Sequence, residues 1–213
     1  MPGHLAHAKK LIVAPHVDDE VLGCGGILDK NSVVYYCGID ESRVTPDPEH
    51  RVPLEERMRE LQATTDFLGF SYEINRRSKV NFFVEQEIKD DLERIVNEIR
   101  PDMIFLPHPG YNQDHRTVFN AAQVALRPHD KIFFAKTVLV YEGIHDALWS
   151  HVPFRPNYFV PIDIERKLHA YGLQPSQVRG MRSPEMLRAL ARLRGAACNA
   201  EYAEAFEVLR LVV

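Results

Sequence analysis

His16-Val17-Asp18-Asp19-Glu20 crowds an imidazole against adjacent carboxylates, directly after the apolar run Lys10-Leu11-Ile12-Val13-Ala14. Neighbouring carboxylates repel one another unless a cation sits among them, and a divalent metal is the obvious one. His16 and Asp19 are three residues apart, a spacing that a first helical turn brings onto one face. Asp18 points elsewhere in that turn and stays free for other work. A second polar cluster, Pro107-His108-Pro109-Gly110-Tyr111-Asn112-Gln113-Asp114-His115-Arg116, follows another apolar run, Met103-Ile104-Phe105-Leu106. Both runs read as buried strands that empty into polar loops. In open α/β sheets, ligands bind at the carboxyl ends of strands, where strand order reverses. If these two strands are neighbours, His16, Asp19 and His115 converge on one metal, with Asp18 beside it.

Plainer explanations compete at each position. Acidic caps at a helix N-terminus are favoured by the macrodipole, and they account for one Asp. They do not account for His-x-Asp-Asp-Glu after a buried strand. His115 alone reads as a surface or core histidine; its place beside Asp114, at a second strand end, argues for ligation. Gly23, Gly25 and Gly26 lack the spacing of a phosphate-cradling loop and read as points of close approach. His4, His7, His50, His129, His145, His151 and His169 read as surface side chains, and Trp149 as either core or a sugar platform.

Together the two clusters resemble the LmbE-like, or PIG-L-like, family of zinc deacetylases. That family's first motif reads His-Pro-Asp-Asp-Glu followed by small residues, here His16 to Glu20 and then Gly23, Gly25 and Gly26. Its second motif ends in Asp-His, matched by Asp114-His115. A weaker third feature, Arg-x-x-Glu on a helix leading into Leu-Gly, is matched by Arg57-Met58-Arg59-Glu60 and Leu68-Gly69. The motifs span residues 9 to about 145, and Phe154–Phe159 and Glu201–Phe206 look like a bacterial branch. The resemblance implies a Rossmann-like α/β fold and removal of an acetyl group from an N-acetylated amino sugar or glycoconjugate. It implies one zinc ion (Zn2+) per chain on His16, Asp19 and His115, a set that also suits Fe2+. Zinc on two imidazoles and one carboxylate keeps a position for water, and Asp18 is the general base that takes the water's proton. Asp114 orients a neighbouring imidazole, and Arg57 contacts substrate.

Two departures alter that picture. Val17 replaces the usual Pro, which affects turn stiffness more than chemistry. Asn112 stands three residues before His115, where several members carry a His thought to stabilise the oxyanion. An Asn donates a hydrogen bond but carries no proton to the leaving amine, so that proton falls to Asp18 or His108.

Length and composition bound the reading. The chain of 213 residues suffices for one well-buried domain, taken as residues 1–213. A net charge of −4 and a pI near 6.2 argue against nucleic-acid binding. Cys24, Cys37 and Cys198 have no zinc-type spacing and read as free thiols in a reducing cytoplasm. We expect no secretory leader and no membrane span, and relatives suggest a homo-oligomer. Strands at Ser32–Ile39, Ser71–Ile74, Thr137–Tyr141 and Asn157–Val160 alternate with helices at Leu54–Leu68, Glu85–Ile99, 163–171 and 183–196. A helix starting near Arg116 follows the second site, and Phe206–Val212 closes the chain as strand or helix. Such alternation predicts a single α/β domain with a mostly parallel sheet flanked by helices. Substrate choice is expected from the Arg43–Pro53 loop, from Asn75–Glu85 and from the segment after Glu142. Rival readings are a non-haem iron(II) enzyme on the same triad, a silent sugar-binding relative, and a nucleotide-binding Rossmann module without its glycine fingerprint.

Overall fold

In a computed structural model that describes residues 3–41 and 52–213, every one of those apolar runs becomes a strand of one seven-stranded sheet. The elements begin with α1 (Gly3–His7), β1 (Lys10–Ala14), α2 (Asp19–Cys24), β2 (Ser32–Tyr36), α3 (Leu54–Leu68) and β3 (Ser71–Ile74). They continue with α4 (Glu85–Ile99), β4 (Met103–Pro107), α5 (Gln113–Ala125), β5 (Thr137–Tyr141) and α6 (Ile144–Leu148). The chain ends through β6 (Tyr158–Pro161), α7 (Ile164–Gly172), α8 (Pro184–Ala196) and β7 (Ala203–Leu211). Strand order is β3-β2-β1-β4-β5-β7-β6. Strands β1 to β5 are parallel, and β7 runs antiparallel to both its neighbours.

Strand β1 pairs with β2 on one side and β4 on the other, with Ile12 opposite both Val34 and Phe105. Chain order therefore reverses between β1 and β4, and both polar clusters start at the carboxyl ends of these two strands. Each strand is buried along its whole length, as parallel strands covered on both faces must be. Leu11, Val13, Ile104 and Leu106 face Ile88 and Leu92 of α4 and Val118 and Ala122 of α5. Ile12, Ala14 and Phe105 face Leu22, Leu61, Tyr171 and Leu187 on the other side. The period of two in the strands thus divides the core into two layers.

Several boundaries differ from the sequence reading, for local reasons. Helix α5 starts at Gln113 and not near Arg116, because Asn112 caps it: its Oδ1 accepts the Asp114 N–H at 2.8 Å. The closing segment is a strand, and it starts earlier, at Ala203. The second strand ends at Tyr36. Helix α6 is too short for periodicity to reveal. Of the Arg43–Pro53 loop, residues 43–51 lie outside the described residues. No helix among the described residues is long and apolar enough to cross a membrane.

Helix α2, which carries Asp19, is fastened from behind. Lys167 of α7 donates to the Leu22 carbonyl at 2.8 Å and pairs with Glu204 of β7 at 2.7 Å. Glu204 also accepts the Gly26 N–H at 2.8 Å. A Cβ on Gly26 would stand 2.3 Å from Ile162, and one on Gly23 would stand 2.2 Å from the Tyr141 ring. That ring cannot yield easily: Tyr141 is buried and its hydroxyl donates to the Val13 carbonyl at 2.8 Å. Gly23→Ala should therefore destabilise the protein by about 1–3 kcal/mol through overpacking, despite the better helix propensity of Ala. At Gly172, where a Cβ meets nothing within 4 Å, the same change should be neutral or stabilising by up to about 1 kcal/mol. Urea unfolding of the two variants checks the contrast, and equal effects would refute the close-approach account.

Candidate metal centre

His16 leaves the end of β1, Asp19 opens α2, and His115 lies in the first turn of α5. The Asp19 carboxylate folds back over the turn, so that Oδ2 accepts the His16 N–H at 3.0 Å. The same oxygen stands 3.2 Å from His16 Nδ1 and 3.2 Å from His115 Nε2. The ligand atoms of the three residues lie within 4.8 Å of one another. Convergence thus follows from the pairing of β1 with β4 and from this folded turn; His16 itself precedes the helix.

The donor set suits a divalent metal. Two nitrogens and one oxygen make a three-ligand site that leaves room for water. His16 is oriented for it: Nε2 lies 2.9 Å from Asp114 Oδ2, which also accepts the Asn81 N–H at 2.7 Å. With Nε2–H donated to Asp114, Nδ1 presents its lone pair toward Asp19 and His115. The electrostatics agree. Burial pushes the His16 pKa down, but hydrogen bonds and charges from Asp114 and Asp19 outweigh it and hold the ring at about 10. Burial pushes Asp19 up, yet the charge and hydrogen bond of His115, reinforced by His16, hold it well below the usual carboxylate range. Positive charge is what this cluster stabilises, and a metal ion supplies it as a proton does.

Asp18 is buried beside the triad and has a backbone no ordinary residue favours, φ 145°. It occupies the N-cap of α2, yet its side chain makes no capping bond. Its Oδ2 instead accepts from Arg182 Nη1 at 2.5 Å. Burial raises the Asp18 pKa, opposed by the Arg182 charge. Strain of this sort persists where surroundings over-determine it. Here Glu20 accepts the Asp18 N–H at 2.9 Å and is itself bound by Gln174 at 2.9 Å. Burial, with the Asp18 charge, pushes Glu20 up to about 7.

Arg57 does not meet the expectation of substrate contact. It is buried, donates to the Val17 carbonyl, and pairs with Glu60 at 2.8 Å. Its place on the inward face of α3 makes it a brace for the Val17–Asp18 turn. His108 is buried too, with Nδ1 3.2 Å from Asp146 Oδ1 and its ring edge-on to Phe154. It sits behind Asp146, which approaches so closely that a Cβ on Gly110 would stand 2.0 Å from Asp146 Oδ1.

Over the triad opens a cavity of about 220 Å³. Its wall includes His16, Asp19, Asn112 and His115, the start of α6 from Gly143 to Asp146, and Arg179 and Arg182. The segment after Glu142 therefore does border the site, and Asn75–Glu85 supports it through Asn81 and through Phe83, whose ring lies 5.9 Å from that of His16. Trp149 is exposed, at 75 %. His145, expected at the surface, is half-buried on the cavity wall, and Arg179 and Arg182 escaped the sequence reading. No local motif marks them, and Arg182 reaches Asp18 across more than 160 residues of chain.

Comparison with known proteins agrees with this geometry. The sequence profile of PIG-L, described as GlcNAc-PI de-N-acetylase, matches residues 11–126. No curated protein sequence matches the chain. Among solved structures, the conserved protein TT1542 from Thermus thermophilus is 24% identical with TM-score 0.74, over 97% of this chain and 96% of that one. The N,N'-diacetylchitobiose deacetylase from Pyrococcus horikoshii is 23% identical with TM-score 0.73, over 97% and 85%. GalB, the 4-carboxy-2-hydroxymuconate hydratase from Pseudomonas putida, is 20% identical with TM-score 0.77, over 96% and 98%. At these identities the structures establish a shared fold. The profile, which spans more than half of the 213 residues and contains both polar clusters, establishes more: the chain belongs to the PIG-L (LmbE-like) deacetylase family.

Proposed function

We propose that the protein is a zinc-dependent N-deacetylase that removes an acetyl group from an N-acetylated amino sugar or glycoconjugate. One observation carries this reading: His16 Nδ1, Asp19 Oδ2 and His115 Nε2 converge at the switch point with a second buried acid, Asp18, next to them. Family membership and the deacetylase activity of the chitobiose-processing neighbour support it. Bound by the triad, the metal supplies Lewis acidity that lowers the pKa of a water and polarises an acyl carbonyl.

The chain's own residues divide the remaining work. Asp18 takes the proton of the attacking water and returns it to the departing amine, since His108 lies behind Asp146 and not on the cavity wall. Arg182 holds the Asp18 carboxylate in place and Arg57 holds the preceding carbonyl. Asn112 commits its Oδ1 to the Asp114 N–H, so the Nδ2 donor is the half of the amide left for the developing oxyanion. Asp114 fixes the tautomer of His16. The likeness to a hydratase favours a second reading, addition of water to a carbon–carbon double bond. Release of acetate from a panel of N-acetylated sugars distinguishes the two.

Metal analysis tests the centre directly. The native protein should carry about one zinc per chain, and His115→Ala should lose most of it while its circular dichroism is unchanged. Full metal content and full activity in that variant would dismiss the triad.

Asp18→Asn keeps the shape of the side chain but cannot accept a proton. Zinc content should hold while kcat falls by about 10²–10⁴-fold, the usual contribution of a general base. A near-native rate would move the base to another residue.

Asn112 has two functions that different substitutions separate. Asn112→Asp retains the acceptor that caps α5 and lacks the donor; Asn112→Ala lacks both. Each should lower kcat by about 10²-fold with little change in KM. Only the Ala variant should lose the cap, about 0.5–2 kcal/mol of stability in urea unfolding. Native kcat in Asn112→Asp would leave Asn112 a cap alone.

A further inference from the structure

Around the cavity the carboxylates are fully partnered and the guanidinium groups are not. Asp19 is committed to two imidazoles and Asp18 to Arg182. Asp146 accepts the Gly143 N–H at 2.8 Å and faces His108. The basic groups are not so fully used. Arg179 and Arg182 flank a tight turn, closed by the Arg182 N–H donating to the Arg179 carbonyl at 2.8 Å, and both line the cavity with His145. Arg182 uses one nitrogen, Nη1, on Asp18. The Arg179 side chain has no carboxylate or hydrogen-bond partner among the described residues.

A neutral sugar hydroxyl leaves a guanidinium charge uncompensated. A carboxylate or phosphate answers it with two parallel charge-assisted bonds. We infer that Arg179, with the free edge of Arg182, forms an anion subsite, and that the substrate carries a carboxylate or phosphate near its acyl amide. The second half of that statement rests on the deacetylase reading; the subsite does not. At about 220 Å³ the cavity is smaller than the roughly 300–1,000 Å³ of drug-sized ligand sites. The acid and the amide therefore belong to one compact molecule, or to the tip of a larger one.

Two measurements test this, the first without catalysis. Inorganic phosphate and glutarate are titrated calorimetrically into chelator-treated protein, so that no metal competes for the anion. At least one should bind, about 10–100-fold more weakly in Arg179→Gln, the range for a hydrogen bond to a charged group. Arg179→Lys, which keeps the charge without the fork, should fall between. In the second, the zinc-loaded enzyme is given N-acetylglucosamine, its 6-phosphate and N-acetylmuramic acid. At least one acidic sugar should exceed the neutral one in kcat/KM by about 10-fold or more, and Arg179→Gln should remove that preference. Whether the phosphate or the carboxylate leads identifies the source of the charge. Absence of anion binding, equal binding by Arg179→Gln, or an unchanged preference overturns the subsite, even if neutral sugar is deacetylated. Anion binding that Arg179→Gln abolishes, with no acetate released from any sugar, upholds the subsite and removes the deacetylase reading.

Discussion

A single carboxylate oxygen, Asp19 Oδ2, holds the centre together, because it stands 3.2 Å from a ring nitrogen of each imidazole. Its position needs three things at once. Strand β1 must lie beside β4, α2 must start a few residues after β1 ends, and the turn between them must fold back onto the His16 N–H. The turn achieves this only with Asp18 at a positive φ, which costs of order 1–3 kcal/mol. Much of the surrounding structure offsets that cost. Glu20 binds the Asp18 N–H, Arg57 binds the Val17 carbonyl, and Lys167 and Glu204 anchor the far end of α2. Apart from Glu20, which lies on α2 itself, these contacts come from α3, α7 and β7, so the site depends on the sheet and its flanking helices.

Electrostatics impose a second demand. Asp18, Asp19, Glu20 and Asp114 are all buried within a short distance of one another, and buried acids must be neutralised, paired or hydrogen-bonded. Each finds a different answer. Asp18 takes a guanidinium, Asp19 takes two imidazoles, Glu20 drifts toward neutrality at about 7, and Asp114 takes an imidazole and a backbone N–H. The four answers give four roles. In the proposed reaction, the acid paired with one arginine suits proton exchange and the acid held between two ring nitrogens suits metal ligation.

How legible was this in the sequence? Strands buried on both faces announce themselves as unbroken apolar runs, so Lys10–Ala14, Met103–Leu106 and Thr137–Tyr141 needed no tertiary information. Helices α3 and α4 were readable because their apolar residues recur at helical spacing over fifteen positions. His16, Asp19 and His115 were readable because chemistry and strand ends coincide. The burial of Arg57 behind the Val17–Asp18 turn has no sequence signal, because a resemblance carries residue types and not burial. Arg182 and Arg179 carry no sequence signal, and His145 reads as a surface side chain, because their place beside the triad exists only in three dimensions. Helix α6 was missed because five residues hold too little periodicity.

Asn112 joins these threads. A His in its place would offer the centre a titrating group; Asn offers none, but it does what His does poorly, which is to cap a helix. Its side-chain oxygen secures the first turn of α5, from which Asp114 and His115 both project. Asn at this position forgoes a titrating group and caps the helix that carries the second half of the candidate centre. In the proposed deacetylation the proton work then falls to Asp18, an acid strained in its backbone, raised by burial and countered by Arg182. An anionic substrate that draws on the free edge of Arg182 would alter the partner of that same acid. Recognition of the substrate's charge and readiness of the base would then be coupled through one guanidinium, a coupling a neutral substrate could not engage.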